Sequence, residues 1–379
     1  MPTGAGERLM FIDLLKAVGS QLIVLHHLAF YGPMSDWTHQ LAPDLVEWFS
    51  QHARMAVQIF LVVAGFLAAR SLAPDGVLRS ERPPTLLWQR FVRVSLPLTA
   101  ALLLAMVCTE IARVWMTHDS LPAPPALWQF VAHALLIHSL LGVDSLSAGV
   151  WYVAIDVQLF ALLLGLLWLG RRLGWVAPLL VVAVVLASLF HFNRDSGWDN
   201  WALYFFGAYG LGALAFWLSR AQAGRSAAVW LAAMVLITLL SLALDWRTRI
   251  ALALGVALAL AWAHRSGWLF TWPRSHALGY LGRISYGVFL LNFPVALVVN
   301  AWFTRYASPD AWTQTLGVLV AWLACNLAGA AFHHGVEQRL FLLTSAIAGL
   351  NSSFMQNPSV MALYLPVASR LAARTGLTL

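Results

Sequence analysis

Apolar stretches long enough to cross a bilayer recur along this chain at about 11–31, 54–73, 94–115, 150–169, 176–192, 201–219, 227–244, 250–264, 277–303 and 312–334. A spanning helix takes about 20 predominantly apolar residues. In hydrocarbon, backbone N–H and C=O groups must be bonded within the protein, so runs of this kind read as helices. The chain is therefore expected to be all-α, a polytopic membrane helical bundle of about ten transmembrane helices. Composition agrees: 60% of residues are hydrophobic and 10% charged, whereas soluble domains carry about 25% charged. Nineteen tryptophans and eight tyrosines suit interfacial belts, where amphipathic rings sit at headgroup level.

Arginine placement sets the expected orientation. One side collects Arg8; Arg70, Arg79, Arg82, Arg90 and Arg93; Arg171 and Arg172; Arg220 and Arg225; Arg265, Arg274 and Arg283; and Arg339, Arg370 and Arg374, sixteen in all. The other holds six, namely Arg54, Arg113, Arg194, Arg247, Arg249 and Arg305. The positive-inside rule then puts both termini in the cytoplasm. This count treats the short segment 127–142, with His133 and His138, as interfacial or re-entrant, because a span there would send Arg171 and Arg172 outside. The net charge of +7 is read as topology, with no nucleic-acid motif visible. Cys108 and Cys325 lie in apolar runs and show no disulfide or metal-ligand spacing. No cleavable signal pattern is evident, so 11–31 is expected to remain as an anchor. Residues 346–379 are expected to form a cytoplasmic tail, with a surface helix at 359–374, after a membrane domain at 1–345.

Polar groups at membrane depth are the functional clues. Lys16, His26 and His27 sit in the first apolar stretch, with Asp13 three residues before the lysine. At about 100° per residue, Lys16 and His27 are rotated by three turns plus roughly 20°, so they share a face about 16 Å apart along the axis. An ionisable group there costs about 2.5–3.5 kcal/mol on insertion scales and marks a functional site by default. A snorkelling lysine with a packed histidine is the competing reading. Arg90 and Arg93 occupy neighbouring positions on one face at the expected start of the third helix. Such a pair could grip a phosphate, or serve only to fix topology and meet anionic lipid. Asp156 and Gln158 enter an otherwise apolar span, where a carboxylate must be neutral or paired. The run Leu281 to Pro294 is punctuated by Arg283, Ser285, Tyr286 and Asn292, and proline is expected to break it; broken helices often line cavities. His333, His334 and Glu337 form a last cluster, readable also as a helix cap.

These segments, in this order, resemble the acyltransferase-3 family of bacterial integral membrane acyltransferases over about residues 8 to 340. The family's first helix carries an arginine, ten residues, then a histidine; Lys16 and His27 stand at those positions, with lysine for arginine. Ile59 to Leu67 is similar to its apolar stretch, with Ala64 where serine is usual. Arg90, Arg93 and Pro97 match the opening of its third helix. Trp151, Asp156 and Gln158 fit its tryptophan, glutamate and glutamine spacing. Gly282-Arg283-Ile284-Ser285-Tyr286 is the nearest match, and Asn292 follows where the family often has histidine.

The resemblance implies O-acyl transfer, usually of acetyl, from cytoplasmic acyl-CoA as co-substrate to a hydroxyl of an exported or cell-envelope carbohydrate or a small molecule, in the bacterial inner membrane. No permanently bound cofactor and no metal are implied. On this reading His27 is the base, since an imidazole near pKa ~6.5 suits proton removal from a hydroxyl near neutral pH. An acyl-histidine intermediate remains an equal alternative. Asp156 is the expected partner of that imidazole, ahead of Asp13. Lys16 is expected to meet the thioester or the CoA phosphates, with Arg90, Arg93 and Arg283 adding positive charge. Asp13, His26, Trp151, Gln158, Ser285, Tyr286, Asn292 and Glu337 are expected to support the substrate or the structure. Two other readings stay open: a multi-pass transporter or flippase of a polar substrate, and a non-catalytic envelope-assembly subunit, which the replaced residues at 16, 64 and 292 would suit.

Overall fold

The computed structural model describes residues 8–222 and 224–342. Ten long helices are formed: α1 (Met10–Phe30), α2 (Val57–Leu72), α3 (Pro83–Trp115), α4 (Val150–Leu169), α5 (Val176–Phe190), α6 (Ala202–Arg220), α7 (Arg225–Leu244), α8 (Thr248–Arg265), α9 (His276–Tyr306) and α10 (Ala311–Phe332). The protein is an all-α polytopic bundle, with no strand among the described residues. Nine helical segments in this part of the chain are long and apolar enough to cross a membrane. The expected tenth, α8, forms as a helix but carries Arg249, His264 and Arg265 at its ends, which dilutes its apolar character. The expected surface helix at 359–374 and the boundary at 345–346 lie outside the described residues.

Two helices organise the packing. α6 lies against α2, α4, α5 and α8, while α9 lies against α1, α3 and α10. The apolar windows of α6 and α9 are each 78% buried, whereas that of α7 is 22% buried and faces outward. Small residues permit the tight crossings, since helices in lipid gain from close backbone approach. A Cβ on Gly65 in α2 would overlap the carbonyl oxygen of Tyr209 in α6, and one on Gly212 in α6 would overlap that of Val62. Both interlocked glycines are thus required by contact with backbone, which cannot rotate away. Gly65→Ala is expected to destabilise the protein by about 1–3 kcal/mol through overpacking, read as a lower unfolding midpoint in detergent; an unchanged midpoint would mean that this crossing is loose. Gly282 serves α1 and α9 in the same way, since a Cβ there would collide with the backbone of Asp13.

Two local expectations are corrected, at the start of α3 and at Pro294, while 127–142, as expected, does not span. α3 begins at Pro83, with proline in its first turn, so Arg90 and Arg93 lie two to three turns inside the helix. Proline suits a helix's first turn, where its missing N–H would have no intrahelical partner. α9 runs unbroken through Pro294. Proline removes one backbone bond, that to the Leu290 carbonyl, and its neighbours continue the helix on both sides. Segment 127–142 contains a helix only at Leu127–Ala134, eight residues and too short to span. There the His133 and His138 rings stack at 3.9 Å.

Candidate active site

A cavity of about 960 Å³ lies among α1, α2, α3, α4, α6, α9 and the segment after α10. Its size falls near the top of the range for ligand pockets, ~300–1,000 Å³. It sits toward the arginine-rich end of the bundle, with Leu9 at the start of α1, Arg70 at the end of α2 and Arg93 in the first half of α3 on its wall. Four cations, Lys16, Arg70, Arg90 and Arg93, and two carboxylates, Asp156 and Glu337, line it, a surplus of two positive charges among the described residues.

Arg90 is committed to a partner. Its Nη2 and Nε donate to Asp156 Oδ2 at 2.6 and 3.2 Å, and its guanidinium lies 5.6 Å from the Phe160 ring centre. Asp156 is only 4% exposed, so this ion pair is its solvation. The expectation that Asp156 orients His27 is therefore corrected, because α4 presents the carboxylate to α3. Among the described residues Lys16 and Arg70 have no ion-pair partner within 4 Å; Arg93 likewise has none, and its guanidinium sits 4.9 Å from the Phe341 ring centre. Arg70 also has a buried Nη1 with no hydrogen-bond partner among the described residues. The basic loop that ends at Arg93 carries sequence signals for Arg90 and Arg93; Arg70 read only as a topology marker.

Glu337 and His333 share a π turn at His333–Glu337 that continues α10, where Glu337 Oε2 lies 2.9 Å from His333 Nδ1. Both line the cavity. Ser285 Oγ donates to the Gly282 carbonyl at 2.9 Å and the Tyr286 hydroxyl to the Val94 carbonyl at 2.9 Å, so these two motif residues present their side chains at the cavity wall while bracing α9. Arg283 does not line the cavity; it is exposed, with its guanidinium 5.7 Å from the Tyr280 ring centre, which corrects its expected place at the donor site. Asp13 is bound to Arg8 Nε at 2.8 Å, where α1 crosses α9 at Gly282. Gln158 caps α6, accepting from Ala202 N at 3.0 Å and donating to the Asn200 carbonyl at 3.3 Å. Trp151 packs on Phe205 with ring centres 5.5 Å apart.

Three rings from α2, α4 and α9 line the end of the cavity away from Leu9 and Arg70. Phe60, Tyr152 and Phe289 pack with centres 6.1, 6.2 and 5.5 Å apart, and all three line the cavity. A Cβ on Gly19 would stand 3.0 Å from Phe60 Cζ, so this ring lies on α1 between Lys16 and His27. Sequence reasoning missed the three rings, since aromatic residues in apolar helices carry no distinguishing signal. Lys16 lines the cavity; His27 does not. His27 is 6% exposed and its Nδ1 is hydrogen-bonded to Asn292 Oδ1, one helical turn beyond Phe289. His26 approaches the Phe49 carbonyl at 3.3 Å and lies tilted beside His27, with ring centres 5.3 Å apart. The single polar face of α1 thus passes from the cavity wall, under the ring layer, to a buried imidazole.

Compared with families of known proteins, residues 10–331 match the model of the acyltransferase-3 family, described as an acyltransferase domain. No curated protein and no solved structure matches.

Proposed function

Because the chain belongs to the acyltransferase-3 family of membrane acyltransferases, we propose that it transfers an acyl group, acetyl by preference, from acyl-CoA to a hydroxyl of an exported or cell-envelope carbohydrate. The observation that carries this reading is the polar face of α1, with Lys16 in a basic cavity at one end and His27 at the other. A donor rich in phosphate fits the surplus of positive charge. The nucleotide end of acyl-CoA would lie against Arg70, Arg93 and Lys16, while Arg90 is already neutralised by Asp156. The thioester would point toward the ring layer, and the acceptor hydroxyl would reach His27 from the other side.

On this reading the cavity mouth faces the cytoplasm of a bacterial cell and the protein sits in its inner membrane, the orientation that the arginine distribution supports. A donor made inside and an acceptor presented outside then meet across one layer of side chains. Lysine at position 16 supplies a point charge in place of a planar fork, so donor recognition rests more on Arg70 and Arg93.

Membranes containing the protein, supplied with labelled acetyl-CoA and a crude envelope glycan fraction, are expected to move label to the glycan. Export of unmodified substrate without labelling would instead support a transporter. Arg93→Ala is expected to raise KM for acetyl-CoA by about 10–100-fold, as loss of a charged hydrogen bond costs roughly 1.5–3 kcal/mol. Steady-state kinetics with acetyl-CoA as the varied substrate checks this, and an unchanged KM would remove Arg93 from the donor site.

A further inference from the structure

We propose that Asn292 is a positioning residue that holds His27 in the Nδ1–H form, so that Nε2 is the nitrogen that takes the acceptor's proton; this rests on the acyl-transfer reading above. The argument is one of hydrogen-bond accounting in a buried place. Asn292 is 1% exposed, and its Nδ2 donates to the Val288 carbonyl at 3.1 Å and to the Phe289 carbonyl at 2.7 Å. Both amide hydrogens are thereby used. Carbonyl oxygens only accept, so the amide cannot be turned around without setting its own oxygen against two others. Oδ1 is left facing His27 Nδ1. An amide oxygen accepts and never donates, so Nδ1 must carry the hydrogen. In a neutral imidazole the other nitrogen then holds the lone pair.

The holder is itself held. Cys325 in α10 donates through Sγ to the Asn292 carbonyl at 3.2 Å, and Phe289, whose carbonyl accepts from the amide, is one of the three rings that line the cavity. The groups around the imidazole are the rings of His26, Tyr31 and Phe293, with centres 5.3, 5.6 and 6.2 Å away, and none of these supplies a carboxylate. An uncharged amide therefore does the orienting task that a carboxylate performs in many hydrolytic sites, without placing a standing charge inside the bilayer.

The step that follows is balanced. The acceptor oxygen bonds to the thioester carbonyl carbon while Nε2 takes the hydroxyl proton. The C–S bond then breaks, its electron pair going to sulfur. The proton passes from Nε2 to the thiolate, leaving ester, free thiol and a neutral ring whose Nδ1 has kept its hydrogen throughout.

Nitrogen-15 spectra of the full-length protein labelled at histidine, in nanodiscs and without substrate, test the proposal. The His27 signals are assigned as those lost in His27→Gln. A protonated Nδ1 with an unprotonated Nε2 is expected; the reverse pattern overturns the proposal. Because no substrate is present, this result stands whether or not the protein transfers acyl groups, and the expected spectrum in an inactive protein would count against the acyl-transfer reading instead. Asn292→Leu is expected to give a mixture of tautomers and to lower kcat by about 10–100-fold, in line with other orienting partners, with KM for acetyl-CoA unchanged. Asn292→Asp, which keeps an acceptor oxygen, is expected to retain the single tautomer. If the leucine variant keeps both the wild-type tautomer and kcat, Asn292 does not position the ring; if it fails to insert, the wild-type and aspartate spectra decide.

Discussion

Replacing His27 by alanine is expected to lower acyl transfer by about 10²–10⁴-fold, the span over which a positioned base accelerates proton transfer. A sugar hydroxyl is a weak nucleophile until its proton is removed, and His27 is the imidazole on α1 that is buried and oriented by a second helix. His26, beside it, approaches a backbone carbonyl and does not replace it. The measurement is transfer of label from acetyl-CoA in membranes with equal amounts of inserted wild-type and variant protein. KM for acetyl-CoA should stay near its original value, because His27 lies beyond the ring layer from the donor cavity. A variant with wild-type rate would show that proton removal occurs elsewhere.

The second large effect concerns stability. Asp156→Ala leaves Arg90 with its charge in the bundle and no counter-ion, and is expected to destabilise the protein by about 3 kcal/mol, the lower end of the range for broken buried pairs. The lower end applies because the Arg90 side chain keeps 34% of its surface open, against 6% for Asp156. Arg90→Leu with Asp156→Leu should recover much of the loss, since two apolar side chains need no partner. Thermal unfolding of the singles and the double in one detergent gives the coupling. Additive losses would mean that the two groups are solvated independently.

What could be read from the chain follows from which interactions are local. Spans are set by runs of apolar residues, so their number and most of their bounds are legible to within a few residues, α3 excepted, which begins at Pro83 ahead of the apolar run from 94, and the polar face of α1 follows from helical periodicity within one segment. Lys16 accordingly stands where its spacing put it. The partner of Asp156 was not legible, because it depends on which helix lies beside α4, and nothing in the run from Trp151 to Phe160 names α3 as that neighbour. Arg90 and Arg93 illustrate both cases. Their three-residue spacing correctly puts them near one another, yet one is consumed by a carboxylate 66 residues away in sequence and the other is not. Asn292 read as a departure from a motif, while its structural role depends on the depth at which α1 and α9 meet. Pro294 misled for the opposite reason: it is a strong local signal for a break, yet α9 is buried among α1, α3 and α10 and runs on through it.

The layer of Phe60, Tyr152 and Phe289 determines what has to travel in the proposed reaction. A basic cavity joined to an outward-facing site by open water would be an ion leak, and three packed rings stand at the depth where the proposed reaction needs a barrier. Each charge carried across a membrane is worth about 2.3 kcal/mol per 100 mV. The nucleotide, with its several phosphate charges, can remain wholly on its own side, while a neutral acyl group crosses the layer without electrical work. In the proposed reaction an external hydroxyl would thus be acylated from an internal donor at no expense to the membrane voltage.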